Sequence, residues 1–334
     1  MNPNIPPAGN TRSAFLTDFR DAHAHNFNVN VQRQFGANYM IETAYSGART
    51  SNAALKVDLN QAPPRVGVTD QNINRPFAGQ SPALRTVGAL ASIGYVEYNG
   101  LLIKFQRRSA NHFSFLNSYT FGRAIDLNSD NDGLVTLTNI FDPEYNRGPA
   151  DYDVRHTLSS NWIYELPWGV GNWYGGWQLG GILYLRSGLP IVNAVGGITQ
   201  AQSMLSTGIT INRPNTICDP KLSNPTIDMW FNTACFQQVA DTTGTFGNTS
   251  RNSVRGPGQF NIDFSLIKST SFGRVGSELR LEAFNILNHP QFANPNGQLG
   301  NPAFGTISAM LASPSCATCG TTERQIQLAV KLKF

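Results

Sequence analysis

Hydrophobic and polar residues alternate with a period of two along much of this 334-residue chain. The clearest example is its last segment, ERQIQLAVKLKF. There the apolar residues fall on every second position, Ile326, Leu328, Val330, Leu332 and Phe334. Because successive side chains of a β-strand point to opposite faces, this pattern predicts a strand with one apolar and one mainly polar face.

The same alternation recurs in four pairs of segments, each joined by a short turn. The apolar positions of the pairs begin at Phe27 and Tyr39, Leu101 and Phe113, Leu158 and Trp177, and Phe260 and Leu279. Longer loops separate the pairs: more than forty residues after Tyr45, and then about 126–153, 187–258 and 289–322. With the terminal segment this predicts nine strands, or ten if residues 304–311 also span. Capped amphipathic helical patterns are hard to find, so we expect a nearly all-β fold.

Two architectures share this alternation, a soluble β-sandwich and a transmembrane β-barrel. Three features favour the barrel. The polar face carries small neutral residues such as Ser114, Ser118, Thr120 and Gly180, which suit a crowded or water-filled lumen. Loops of this length are uncommon in compact soluble domains. Finally, aromatic residues concentrate near strand ends, as in the girdles at membrane interfaces: Tyr39, Tyr45, Tyr95, Trp162, Tyr164, Trp168, Trp173, Tyr174 and Trp177.

Composition argues against a nucleic-acid-binding protein and against a protein with a transmembrane helix. Only 14% of the residues are charged, and the net charge of +4 is spread along the chain, so a nucleic-acid-binding surface is not expected. No run of 18 apolar residues exists, which excludes a transmembrane helix but not membrane-spanning strands. The first residues, MNPNIPPAGNTRSAF, lack the basic and apolar regions of a signal peptide.

Strand parity adds an expectation about the size of the barrel. If the short turns are periplasmic and the long loops extracellular, the last strand ends in the periplasm and the first begins outside. Single-chain bacterial barrels have even strand numbers. A chain with nine strands is therefore expected to be the C-terminal piece of a larger barrel, with an unpaired edge near Phe27.

Several motifs together resemble one family. In chain order they are NVQRQFGANYMIETAYSG, YNGLLIKFQRR, FLNSYTFGRAID, RGPADYDVRHTLSSNWIYELPWG, GWQLGGILYLRSGLP, NRPN, WFNTACF, RGPGQFNIDFSLIKSTSFG and LEAFNILNHPQF. Essentially the whole chain resembles the C-terminal barrel region of Oar-like TonB-dependent outer-membrane receptors. The resemblance implies a barrel of about 22 strands in the outer membrane of a Gram-negative bacterium, plugged by a globular domain and energised through the TonB complex. Neither a plug nor a TonB-contact segment is recognisable in residues 1–334.

The resemblance also gives the terminal strand a role. Outer-membrane proteins of this kind carry a C-terminal signal, alternating and ending on phenylalanine, that the barrel-assembly machinery reads. Val330, Leu332 and Phe334 fit that pattern. Simple packing against outer-membrane lipid is compatible with the same residues.

The four cysteines fall in loops that are expected to be extracellular and therefore oxidising. We predict two local disulfides, Cys218–Cys235 and Cys316–Cys319. The first closes a loop for which chain entropy gives about 3 kcal/mol of stabilisation. A redox-active or metal-binding CxxC pair is the alternative for Cys316 and Cys319. However, a redox motif is expected in a βαβ setting, and a zinc site requires a second pair.

Two polar groups contain residue types that occur in chemical sites. His23 and His25, near Asp18 and Asp21, have side chains that bind metals, but a solvated loop is the simpler interpretation. Asp151, Asp153, Arg155 and His156 are the densest polar cluster, where a long loop enters a strand. No nucleophile motif accompanies them, so we expect them to fix the loop base by hydrogen bonds and ion pairs. No catalytic, metal or cofactor site is predicted.

The sequence therefore predicts an outer-membrane receptor or transporter barrel and not an enzyme. Its expected partners are outer-membrane lipid, the barrel-assembly machinery, the TonB complex through an N-terminal portion outside this chain, and an unidentified extracellular ligand. The alternative is a structural or adhesive surface barrel that does not transport.

Overall fold

The computed structural model describes residues 10–66, 71–129, 136–169, 171–192, 197–200, 212–240, 243–272, 275–311 and 323–334. Fifteen strands and three short 3₁₀ helices lie in these ranges. The strands are β1 Asn10–Phe15, β2 His23–Phe35, β3 Tyr39–Asp58, β4 Leu84–Ala110, β5 Phe113–Asp126, β6 Gly148–Pro149, β7 His156–Glu165, β8 Trp177–Arg186, β9 Thr199–Gln200, β10 Asn215–Thr216, β11 Phe236–Gln237, β12 Gln259–Phe272, β13 Val275–Phe284, β14 Gln298–Leu299 and β15 Gln325–Lys333. The 3₁₀ helices are Gln71–Asn74, Pro143–Asn146 and Thr233–Cys235. Among the described residues no helix is long and apolar enough to span a membrane.

Nine long strands form one antiparallel sheet in the order β2-β3-β4-β5-β7-β8-β12-β13-β15. Each strand pairs with the next long strand of the chain, as the four sequence-predicted hairpins and the terminal strand require. The tight turns use backbone conformations that most side chains disfavour, with positive φ at Gly36, Asn111 and His112. The sheet is open, and β2 and β15 are its edges.

The strand register puts the predicted apolar positions on one face of the sheet. Leu101 lies opposite Phe121 and Tyr45, and Leu281 lies opposite Leu266 and Leu328. The other face carries polar residues such as Asn30, Glu42 and Lys104. Glu42 accepts hydrogen bonds from Asn30 Nδ2 at 2.8 Å and from Lys104 Nζ at 3.1 Å. An outward apolar face with an inward polar face is the arrangement of a transmembrane barrel wall.

Aromatic rings cover glycines of the apolar face. The Phe27 ring lies over Gly47, and the Trp162 ring lies over Gly181 on the neighbouring strand. A Cβ atom built on Gly181 would be 2.5 Å from the indole carbons of Trp162. Glycine at these positions therefore makes room for a ring that shields the exposed backbone.

One loop prediction was wrong. The loop expected after Tyr45 is shorter, because β3 continues to Asp58 and β4 begins at Leu84. β4 has 27 residues, about 90 Å of extended chain, whereas about ten residues cross a membrane. Lipid does not impose an apolar face on the protruding parts, so the alternation fades there. Residues 304–311 form only the isolated bridges at Phe304 and Met310, which leaves nine strands on the path of the sheet.

Two small hydrophobic cores lie beyond the membrane part of the sheet. The first joins the protruding ends of β3 and β4 to the loop after β5. It contains Leu55, Val57, Ala89 and Leu127. The second joins the loops after β8 and β13 through Ile191, Phe231, Phe236, Val254 and the flanking Phe304. We call the described residues of 126–155, 187–258 and 285–311 the loop layer, which thus begins at Asp126, the last residue of β5.

Candidate functional site

The loop layer contains a cleft of about 750 Å³. Its lining comes from residues 216–231 and 248–255. Phe231 and Val254 are buried in the second hydrophobic core and form a fixed wall. Leu222 and Trp230 add apolar surface, and Trp230 Nε1 donates to the carbonyl oxygen of Arg255 at 2.9 Å. A concave, largely apolar site with a few polar groups is the usual form of a small-ligand pocket.

The segment along one side of the cleft is tied at both ends. Cys218 and Cys235 form a disulfide in the structure, and β10 pairs with β11 next to it. Ile217 N also donates to the carbonyl oxygen of Cys235 at 2.9 Å. The intervening residues thus form a closed loop that bears one side of the cleft. The second predicted pair, Cys316 and Cys319, lies outside the described residues.

Asp153 organises the base of the loop layer. Its carboxylate accepts hydrogen bonds from Ala124 N at 2.6 Å and Arg155 Nε at 2.9 Å, and it pairs with Arg255. Arg255 Nη1 donates to the carbonyl oxygens of Asp153 at 2.8 Å and Gly188 at 3.1 Å. Because Arg255 also lines the cleft, this network fixes the floor of the cleft to the end of β5.

A second network is centred on two buried charges, Arg251 and Asp126. Arg251 pairs with Asp126 and donates to Asp151 at 2.8 Å and to Ser129 Oγ at 2.9 Å. Asn252 Nδ2 donates to the same Asp151 oxygen at 2.6 Å. Arg251 is 3% exposed and Asp126 is 1% exposed, so each charge depends on the other for compensation. Burial raises the pKa of the Asp126 carboxyl above its ordinary value, although Arg251 and Ser129 act in the opposite direction.

A third buried cation lies beside these networks. The guanidinium of Arg213 lies 3.8 Å from the centre of the Tyr145 ring and donates to the carbonyl oxygen of Tyr145 at 2.5 Å. Burial lowers the pKa of Arg213 and raises the pKa of Tyr145. The Tyr145 hydroxyl donates to the carbonyl oxygen of Gly247 at 2.8 Å. These contacts join the loop after β5 to the loop after β8.

The structure separates the polar cluster that the sequence suggested. Asp151, Asp153 and Arg155 belong to the networks at the loop base. His156 points to the other face of the sheet, where its Nδ1 lies 2.8 Å from the Tyr119 hydroxyl and its ring packs on Phe121. One strand position changes the face, because side chains alternate along β7. Sequence reasoning missed Asp126, Arg213 and Arg251, although Arg213 stands in the quoted NRPN motif.

The remaining sequence candidates lie elsewhere. His23 and His25 are on edge strand β2, and within the described ranges no three His, Cys, Asp or Glu side chains form a metal-binding group. Val330 and Leu332 lie on the apolar face of β15, opposite Leu279 and Ser277. Phe334 follows the strand and is 95% exposed.

Comparison with known proteins points to one class. The model of a family described as "Outer membrane beta barrel domain" matches residues 1–327. No curated protein matches the chain. Among solved structures, the chain is similar to the outer membrane transporter YddB from Escherichia coli, with a TM-score of 0.51, 10% identity, and coverage of 96% of this chain and 34% of that one.

Two further structures are similar at lower scores. The FrpB iron transporter from Neisseria meningitidis has a TM-score of 0.43 and 12% identity, with coverage of 95% of this chain and 32% of that one. BauA, the ferric preacinetobactin receptor from Acinetobacter baumannii, has a TM-score of 0.47 and 11% identity, with coverage of 92% and 29%. The chain thus spans about a third of the length of each of these structures.

Proposed function

Because the chain belongs to the outer membrane beta barrel domain family, we propose that it forms the C-terminal part of a larger barrel of about 22 strands. In this proposal the complete barrel takes up a ligand across the outer membrane in a TonB-dependent manner, as in Oar-like receptors. The family match places the chain in the outer membrane. In this proposal its apolar face contacts lipid.

The single observation that carries this proposal is the direction of the two edge strands. All eight pairings along the nine-stranded path are antiparallel, so β2 and β15 run in the same direction. Direct closure would make them a parallel pair, and so would joining β15 to β2 of a second copy. An antiparallel barrel therefore requires an odd number of additional strands. Thirteen would complete a barrel of 22, and an unpaired edge is not tolerated in lipid.

The faces of the sheet support passage of a ligand. The inward face carries ion pairs such as Glu42–Lys104, with an Nζ to Oε2 distance of 3.1 Å, and Glu278–Lys333, with a distance of 3.7 Å. Such a face suits a hydrated or plugged lumen. The loop layer adds a cleft above one end of this wall. The fold similarity to a transporter, YddB, agrees with this assignment.

The dependence on TonB can be tested with the product of the complete gene in Escherichia coli outer membranes. We expect TonB that carries a site-specific photo-crosslinker to crosslink to the folded protein. A strain with the same TonB but without this gene should lack the crosslinked product of that mass. Heat-modifiable migration on gels would show that the barrel is folded. A folded protein that never crosslinks to TonB would contradict energised uptake.

A second candidate function is a structural or adhesive surface barrel. The observation that favours it is the length of β3 and β4, which extend far beyond a membrane thickness and carry their own hydrophobic core. Adhesion of cells to a surface, retained in a strain without TonB, would support this alternative. We further propose that the barrel-assembly machinery recognises Val330, Leu332 and Phe334 in the exposed terminal strand.

A further inference from the structure

The cleft of the loop layer carries two opposite charges that are not paired with each other. Asp219 and Lys221 both line it, and both are exposed. Asp219 Oδ1 accepts a hydrogen bond from Lys221 N at 3.0 Å, which fixes the turn but uses only one carboxylate oxygen. In the described part of the chain neither side chain forms an ion pair. The third charged residue of the lining, Arg255, is already neutralised by Asp153.

The rest of the lining is apolar or neutral. Pro220, Leu222, Pro225 and Trp230 lie along the same stretch as the two charges, and Val254 belongs to the buried core behind them. Asn248 and two serines add hydrogen-bonding groups without charge. A fitting ligand therefore has an apolar body, some hydrogen-bonding capacity, and both a cationic and an anionic group.

We infer that the cleft binds short apolar peptides with free termini. The peptide ammonium would pair with Asp219, its carboxylate with Lys221, and apolar side chains would contact Leu222 and Trp230. The cleft volume of about 750 Å³ is within the usual range for ligand sites and exceeds that of one amino acid. The inference deepens the proposed function by naming a ligand class. It rests on the proposed function only for the step in which the bound peptide is transported.

Equilibrium binding of three tripeptides tests this inference in the complete protein reconstituted in nanodiscs. The probes are Leu-Phe-Leu, its N-acetyl form and its C-terminal amide. Each lost terminal charge removes one partly exposed ion pair, so we expect capped forms to bind about twofold to fivefold more weakly. Absence of saturable binding, or equal binding of all three, would overturn the inference.

Two isosteric variants assign each charge. In Lys221→Gln the preference for the free carboxylate over the amide should disappear, while the preference for the free ammonium remains. Asp219→Asn should show the reverse, and its side-chain oxygen can still accept from Lys221 N. Arg65→Gln, which changes an exposed cation near Asn74, serves as the control and should leave both preferences intact. Loss of both preferences in either variant would refute the assignment of one terminus to each charge.

Leu222→Ala tests the apolar wall, and we expect all three tripeptides to bind about threefold to tenfold more weakly. An unchanged affinity would contradict the proposed contact between Leu222 and the apolar side chains of the peptide. Binding requires no TonB, so the two proposals fail separately. A TonB crosslink without peptide binding would contradict the ligand class only, and peptide binding without a crosslink would contradict energised transport only.

Discussion

The nine-stranded sheet and the loop layer accommodate charged groups in different ways. In the sheet, inward-facing charges such as Glu42 and Lys104 keep some contact with solvent, since their side chains are 16% and 32% exposed. In the loop layer, Asp126, Arg213 and Arg251 are no more than 3% exposed. The sheet therefore places charges by strand alternation, whereas the loop layer must match each buried charge with partners.

The two regions also differ in the sequence distance of their contacts. Hairpin neighbours in the sheet meet across tight turns, as Phe35 does with Tyr39. In the loop layer Arg251 meets Asp126 across 125 positions and Arg255 meets Asp153 across 102. We therefore expect substitutions in the sheet to lower stability by changing lipid contact and packing. Substitutions in the loop layer should lower stability by leaving a buried charge uncompensated.

Replacement of Arg251 by Met tests the loop layer most severely. Asp126 and Asp151 would lose their guanidinium partner, and removing one member of a buried pair costs about 3–5 kcal/mol. We expect proteinase K added to intact cells to cleave the loop layer at least about a hundredfold faster, because local opening determines cleavage. Arg65→Met, which removes an exposed cation, should leave the rate unchanged.

A second substitution identifies the cause. Asp126→Asn in the Arg251→Met background removes one uncompensated charge and should restore part of the protection. If the double variant is cleaved as fast as Arg251→Met, the loss arises from packing and not from charge.

The difference between local and distant contacts explains what the sequence revealed. Alternation around Phe27, Leu101 and Leu328 predicted the nine paired strands, because lipid and lumen impose opposite polarity on successive residues. Proximity in the chain, and not alternation, grouped His156 with Asp151 and Asp153, whereas its position at the start of β7 turns its side chain towards Tyr119. No local signal joins Arg251 to Asp126, as their pairing depends on how two loops pack. The protruding part of β4 was missed because it lies beyond the lipid, and the successive residues from Val87 to Ala89 are buried there without a strict alternation of polarity.

A lysine on either face of β15 tests the sheet. Leu328→Lys would place a charge near the middle of the lipid-facing side, where it costs about 2–4 kcal/mol. Gln327→Lys puts the same charge on the inward face, opposite Glu282, and should be tolerated. The free energy of unfolding in urea, measured by tryptophan fluorescence in lipid vesicles, should fall only for Leu328→Lys. Equal effects of the two lysines would contradict the assignment of faces.

The glycines beneath aromatic rings provide a smaller test in the sheet. In Gly181→Ala the new methyl group would overlap the Trp162 ring, and forcing a ring aside costs about 1–3 kcal/mol. Gly276→Ala is the matched control, since the nearest atom to its Cβ, on Lys333, lies 3.6 Å away. The same urea titration should show a loss of stability for Gly181→Ala alone. If Gly276→Ala lost as much, strand flexibility and not the ring would explain both results.

The smallest expected effect is a pH dependence of the loop layer. Burial raises the pKa of Asp126, so the folded state binds this proton more tightly than the unfolded state. Its contribution to stability is therefore fully present below the unfolded pKa of about 3.9 and is lost as pH rises through the raised folded pKa. Hydrogen exchange of loop-layer amides, corrected for intrinsic rates, should show protection decreasing across this window in the wild type. Asp126→Asn should remove that component, whereas Asp21→Asn, at an exposed position, should retain it. Loop-layer protection that instead increased with pH, by an amount that Asp126→Asn removes, would mean that the pairing of Asp126 with Arg251 outweighs its burial.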